Sequence, residues 1–181
     1  LECDGRAIPL VMRRDLPGGS ADTSAVDEYP IVAALHRQGL PVPEPVHAEP
    51  DASEFGEPFT LTRRAPGSVV SNPIEGRPLN ADTRTGALEL ACFLARLHSL
   101  KPARLDLPNG FYDPKLTVRD CLMRQIEGCE AFYRRHRLQA SPTIAAGLAW
   151  LRANVPQAGE APSIVHGDAG LNKMLMHEGR S

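Results

Sequence analysis

Ile164-Val165-His166-Gly167-Asp168-Ala169-Gly170-Leu171-Asn172-Lys173-Met174-Leu175-Met176 is the stretch whose reading decides the rest of the chain. An apolar, β-branched pair and a second apolar run bracket a polar His-Gly-Asp turn, the pattern of two short buried strands with a loop between them. Asp168 is then a carboxylate held up on that loop. Taken alone, a His-Gly-Asp tripeptide reads as a turn carrying polar residues. Its meaning depends on what surrounds it.

Upstream of the loop, Ile144, Leu148 and Leu151 fall at helical spacing and predict a helix ended by the segment 154–156. Before it, Thr117 with Asp120 three residues on is a capping-box pattern, followed at helical spacing by Val118, Leu122, Ile126, Cys129 and Phe132. From Arg84, a stripe of Leu90, Phe93, Leu94 and Leu97, flanked by Leu88, Ala91, Cys92 and Ala95, predicts a central and largely buried helix. The beginning of the chain has a different character. Asp4-Gly5 is a hairpin turn, and Ala7 to Met12 reads as a strand with Pro9 near its start. A helix follows, capped by Thr23 or Ser24 and ended by Gly39, with Pro30 inside it predicting a late start or a kink. Pro41 to Val46 must be extended, and Phe59-Thr60-Leu61-Thr62 alternates as a strand before Pro66-Gly67 turns the chain. A β-rich start and a helix-rich remainder make an α+β arrangement.

Apolar residues form 42% and charged residues 23% of the 181, so the chain is composed to fold. A net charge of -2 provides no broad basic field for nucleic acid or an anionic membrane. No run approaches the roughly twenty apolar residues of a membrane span. Cys3, Cys92, Cys121 and Cys129 form no C-x-x-C pair, and reduced, buried thiols in a cytoplasmic protein are expected. The six histidines are too scattered for a clustered metal-hydrolase site.

The order of the motifs resembles the aminoglycoside phosphotransferase and choline kinase family, in the bacterial branch similar to the kinase domain fused to acyl-CoA dehydrogenases. His166-Gly167-Asp168 resembles the family's H-G-D-x-x-x-x-N loop, the small-molecule counterpart of the protein kinase H-R-D-x-x-x-x-N loop. Leu94-Ala95-Arg96-Leu97-His98-Ser99-Leu100 resembles its "LARLHAL" helix. Glu28-Tyr29, Ala33-Ala34-Leu35 and Gly39-Leu40-Pro41-Val42-Pro43 resemble its "REYRVLRAL...GVPVP" run, and Phe59 to Thr62 with Pro66-Gly67 its strand, hinge and turn. The resemblance implies a protein-kinase-like, two-lobed fold. Residues 1–64 would be a partial β-rich N-lobe, and residues 65–181 a partial helical C-lobe with the catalytic loop at 164–176.

It further implies transfer of the γ-phosphoryl group of ATP, with Mg²⁺, to the hydroxyl of a small molecule; the composition and charge lead to the expectation of a cytoplasmic protein without nucleic-acid or membrane partners. Asp168 would take the acceptor's proton and orient its oxygen, and His166 would fix the loop by hydrogen bonding. Arg13, with Arg14 as the neighbouring alternative, would stand where kinases place the strand lysine that contacts nucleotide phosphates. Glu28 would be its ion-pair partner. One position departs from the pattern. Where the family has a magnesium-binding asparagine this chain has Lys173, and Asn172 stands one place early. A lysine cannot ligate Mg²⁺. Asn172 serves instead, the site is degenerate, or the ammonium replaces part of the metal's charge; degeneracy is preferred. The glycine-rich strands and the D-W-E segment of the family would lie beyond the two ends, so a truncated and inactive fragment is expected. The alternative is a degenerate pseudokinase or a nucleotide-binding module.

Overall fold

The computed structural model describes residues 2–3, 5–15, 24–53, 55–69, 81–108, 111–137, 139–157 and 162–177. The chain opens on an antiparallel hairpin, β1 (Glu2–Cys3) and β2 (Arg6–Ala7), turned by Gly5 at φ 72°. The apolar run expected as one strand from Ala7 is divided at Ile8-Pro9, because proline has no N–H to give to a ladder. β3 (Leu10–Arg14) starts after it. β3 pairs with β5 (Phe59–Arg63), and β5 pairs with β4 (Pro45–Glu49), giving an antiparallel sheet in the order β3-β5-β4.

Helix α1 (Ala25–Arg37) packs on β4 and β5. Ser24 is its cap and Asp27 completes a reciprocal capping box, so the helix does not start late. Pro30 lies inside it without ending it. The chain leaves through Gly39 at φ 70°, and the Leu40 N–H reaches back to the Leu35 carbonyl at 3.1 Å. Beyond β5, the Pro66-Gly67 turn leads to β6 (Ser68–Val69), which pairs with β7 (Leu175–Met176) from the far end of the chain. Between them come α2 (Ala81–Ser99), α3 (Val118–His136) and α4 (Pro142–Ala153). Thr117 and Asp120 form the expected capping box of α3, and Pro142 begins α4, where its missing N–H costs nothing.

The core consists of Leu35 and Leu40 at the end of α1 and Leu97 of α2, with Ile31, Val42, Phe93, Leu94, Leu100 and Ile164 packed around them. It therefore spans the junction between the sheet-bearing and helical parts. Two polar ties cross the same junction: Arg96 donates to the Gly39 carbonyl at 2.8 Å and Arg37 to that of Asp106 at 3.1 Å.

Three expectations need correction. Helix α2 is not largely buried: Leu97 is 2% exposed, but Leu88 is 65% exposed and Ala91, Cys92 and Ala95 face outward. An apolar stripe is buried only where a neighbour covers it, and the core covers the Leu97 side. Cys92, Cys121 and Cys129 are exposed free thiols for the same reason. Ile164-Val165 forms no strand, and Val165 is exposed, so among the described residues a strand directly follows the His-Gly-Asp loop but none directly leads into it. No described helix is long and apolar enough to cross a membrane.

Candidate functional site

Arg13 and Glu28 are brought together by the way β3 hands over to α1. Two residues beyond Arg13, the Asp15 carboxylate accepts the Ala25 N–H at 3.0 Å from each oxygen, satisfying an orphan donor of the first turn. That seats the start of α1 against the end of β3. Glu28, one turn along, then meets Arg13, whose Nη1 lies 2.5 Å from Glu28 Oε2. The hydrogen bond to Glu28 raises the Arg13 pKa; partial desolvation opposes this, and the charges of Glu28 and Asp15 add to it. Arg14 points to the opposite side of the strand and donates to the Phe55 carbonyl at 2.9 Å. The two adjacent arginines thus have separate partners. Asp15 had no distinguishing signal in the sequence, since an acid after a strand reads as a surface charge.

The His-Gly-Asp loop is closed locally. Gly167 adopts φ 78°, and the Asp168 N–H points back to His166 Nδ1 at 3.3 Å. The His166 ring stands edge-on to Phe93 of α2, 6.4 Å between centroids, so the loop is braced on the helix beneath it. A single 3₁₀ turn, Leu171–Lys173, follows and delivers the chain into β7. Asp168 is 81% exposed on its side chain, and Lys173 Nζ sits 3.1 Å from Asp168 Oδ2.

A cleft of about 930 Å³ opens beside the loop. Its walls come from Pro41 to Pro43 after α1, Ala65 and Pro66 at the turn, Leu90 and Phe93 of α2, and separate residues of the loop and of β7, with His177 after it. His166, Gly170 and Lys173 line it; Asp168 lies between them in sequence and exposed, and neither Asp168 nor Arg13 is among its lining residues. The lining was only partly legible beforehand. Leu90 and Phe93 read as core, and no motif marked His177.

The loop's donors do not fit a magnesium ion. At the expected ligand position Lys173 presents an ammonium to Asp168. Asn172 has its Oδ1 only 2.6 Å from where a Cβ on Gly170 would stand, so its amide is folded over that glycine. Among the described residues, no three His, Cys, Asp or Glu side chains converge as metal ligands.

Comparison with known proteins assigns the chain to a family. The phosphotransferase enzyme family (APH) matches residues 2–181. Acyl-CoA dehydrogenase family member 10 of Mus musculus is 29% identical over 173 residues, which is 93% of this chain and 15% of the relative. Acyl-CoA dehydrogenase family member 11 of Homo sapiens is 27% identical over 172 residues, 92% of this chain and 21% of the relative. The chain thus spans a small part of the length of these relatives. The crystal structure of a Ralstonia eutropha protein assigned as an aminoglycoside phosphotransferase superposes with a TM-score of 0.68 at 22% identity, covering 98% of this chain and 58% of that one. The chain belongs to the phosphotransferase enzyme family and has its α+β, kinase-like fold.

Proposed function

We propose that this chain carries the acceptor-activating loop of an ATP-dependent small-molecule kinase. Residues 1–64 serve the nucleotide and residues 65–181 the acceptor, with the loop at 164–176. An acceptor hydroxyl hydrogen-bonded to Asp168 gives up its proton to the carboxylate as its oxygen bonds to the γ-phosphorus and the bond to the ADP oxygen breaks. His166 holds the turn through its contact with the Asp168 N–H. Arg13, steadied by Glu28, is the cation for the nucleotide phosphates. Kinases of this family generally use magnesium to neutralise phosphate charge. The exposed carboxylate on a braced, family-typical turn beside an open cleft is the observation that carries the reading. The acceptor is a small hydroxyl compound. The net charge of -2 argues against nucleic-acid and membrane partners, and a cytoplasmic location suits the chain's composition.

Asp168→Ala in the full-length protein tests it. General-base catalysis contributes about 10²–10⁴-fold, so turnover should fall by that order. Melting temperature should be unchanged, because the side chain is 81% exposed. Equal turnover by the variant would refute the assignment. A second reading, nucleotide binding without transfer, is favoured by the Lys173–Asp168 ion pair, which occupies the base. Stoichiometric ATP binding with no turnover on any hydroxyl acceptor would select it.

A further inference from the structure

The 3₁₀ turn Leu171–Lys173, closed by the Lys173 N–H donating to the Gly170 carbonyl at 2.9 Å, brings the lysine back toward the carboxylate two residues before that glycine. Its Nζ stands 3.1 Å from Asp168 Oδ2 and the residue also lines the cleft. A divalent ion at Asp168 needs oxygen lone pairs around it. An ammonium offers only donors. The oxygen next in line, on the Asn172 amide, is folded over Gly170. A doubly charged ion at this carboxylate would also meet a positive charge at contact range, a repulsion that salt screens least at short distance. The ion pair itself is not sealed. Asp168 and Lys173 are 81% and 48% exposed on their side chains, so an entering anion can reach the ammonium.

We propose that Lys173 is the loop's own cation: its ammonium excludes Mg²⁺ from the place beside Asp168 and contacts an entering phosphate directly. The phosphotransfer reading supplies only the identity of that anion; the exclusion of the metal rests on the loop geometry. The test uses Mn²⁺ as the divalent probe and tripolyphosphate as the anion, followed by amide NMR of the full chain. In the unsubstituted protein, Mn²⁺ should broaden the amides of Gly167, Asp168 and Gly170 no more than those near an exposed carboxylate such as Asp106. Lys173→Asn should make that broadening selective for the loop, with Mn²⁺ affinity rising roughly ten-fold or more. Lys173→Met should gain no metal site, and should lose the tripolyphosphate-induced shifts that the unsubstituted loop shows. Lys173→Gln repeats the first comparison if the asparagine variant does not fold.

Equal loop broadening with and without the lysine, or none in either form, would overturn the proposal. So would tripolyphosphate shifts that survive in Lys173→Met. Failure of every form to bind or turn over ATP, alongside the expected Mn²⁺ and tripolyphosphate pattern, would refute phosphotransfer and leave the lysine's role standing.

Discussion

Gly67 has φ 110°, and a Cβ there would stand 2.5 Å from the carbonyl oxygen of Met176 and 2.8 Å from its carbon. Neither contact can be relieved by a rotamer change, because both atoms are backbone. Gly67→Ala should therefore destabilise the protein by on the order of 1–3 kcal/mol. Gly56, at φ 80° with open space around it, separates strain from collision. Gly56→Ala should cost less, and denaturant titration of the two variants compares them; equal losses would mean that the approach of Met176 is unimportant. Because β6 begins at the next residue and pairs with β7, the collision would also shift the strand leaving the His-Gly-Asp loop. The Pro66-Gly67 turn was legible from its residues. Its contact with a strand near the other end was not, since nothing local marks it.

Helices α3 and α4 are tied by Glu130, which takes Arg152 on one carboxylate oxygen and Arg134 at 2.7 Å on the other. The hydrogen bond from Arg152 chiefly lowers the Glu130 pKa from its ordinary 4.5; partial desolvation opposes this, and the charges of Arg134 and Arg152 add to it. A carboxylate lowered on folding contributes stability above its unfolded value, and loses it as pH falls through the folded value. Glu130→Gln should thus be less stable than the unsubstituted protein at neutral pH, and the gap should close as pH falls below 4.5 through the folded value. Urea unfolding followed by helix ellipticity measures it, and a gap independent of pH would show that the ion pairs contribute nothing. The capping box of α3 was readable because it is complete within four residues, whereas for α1 the sequence left Thr23 and Ser24 open and the structure places the box at Ser24 and Asp27. The exposed flank of α2 was not readable, because burial depends on which neighbour arrives.

Leu97 links the two parts of the molecule, being 2% exposed in a core shared with Leu35 and Leu40. Truncation there should cost about 2–5 kcal/mol, the usual range for leucine to alanine in a core. More telling is where the loss is felt. If one core couples sheet and helices, Leu97→Ala should lower hydrogen-exchange protection in β5 and α2 together, as expected of one cooperative unit. Loss confined to α2 would show that the parts unfold separately.

The amino-acid sequence alone determined the α+β order of elements, the capping box at Thr117, the turn at Pro66-Gly67 and the family, because these rest on spacing, turn chemistry and motif order along the chain. It also singled out Asp168, Arg13, Glu28 and Lys173 by their places in that order. Tertiary structure decided which of two adjacent arginines meets Glu28, through the seating of α1 on Asp15, and which apolar side chains are covered. It also decided that Lys173 turns toward Asp168 while Asn172 folds away over Gly170. Those outcomes depend on distances between groups that the chain only brings together when it folds, and no local pattern encodes such distances.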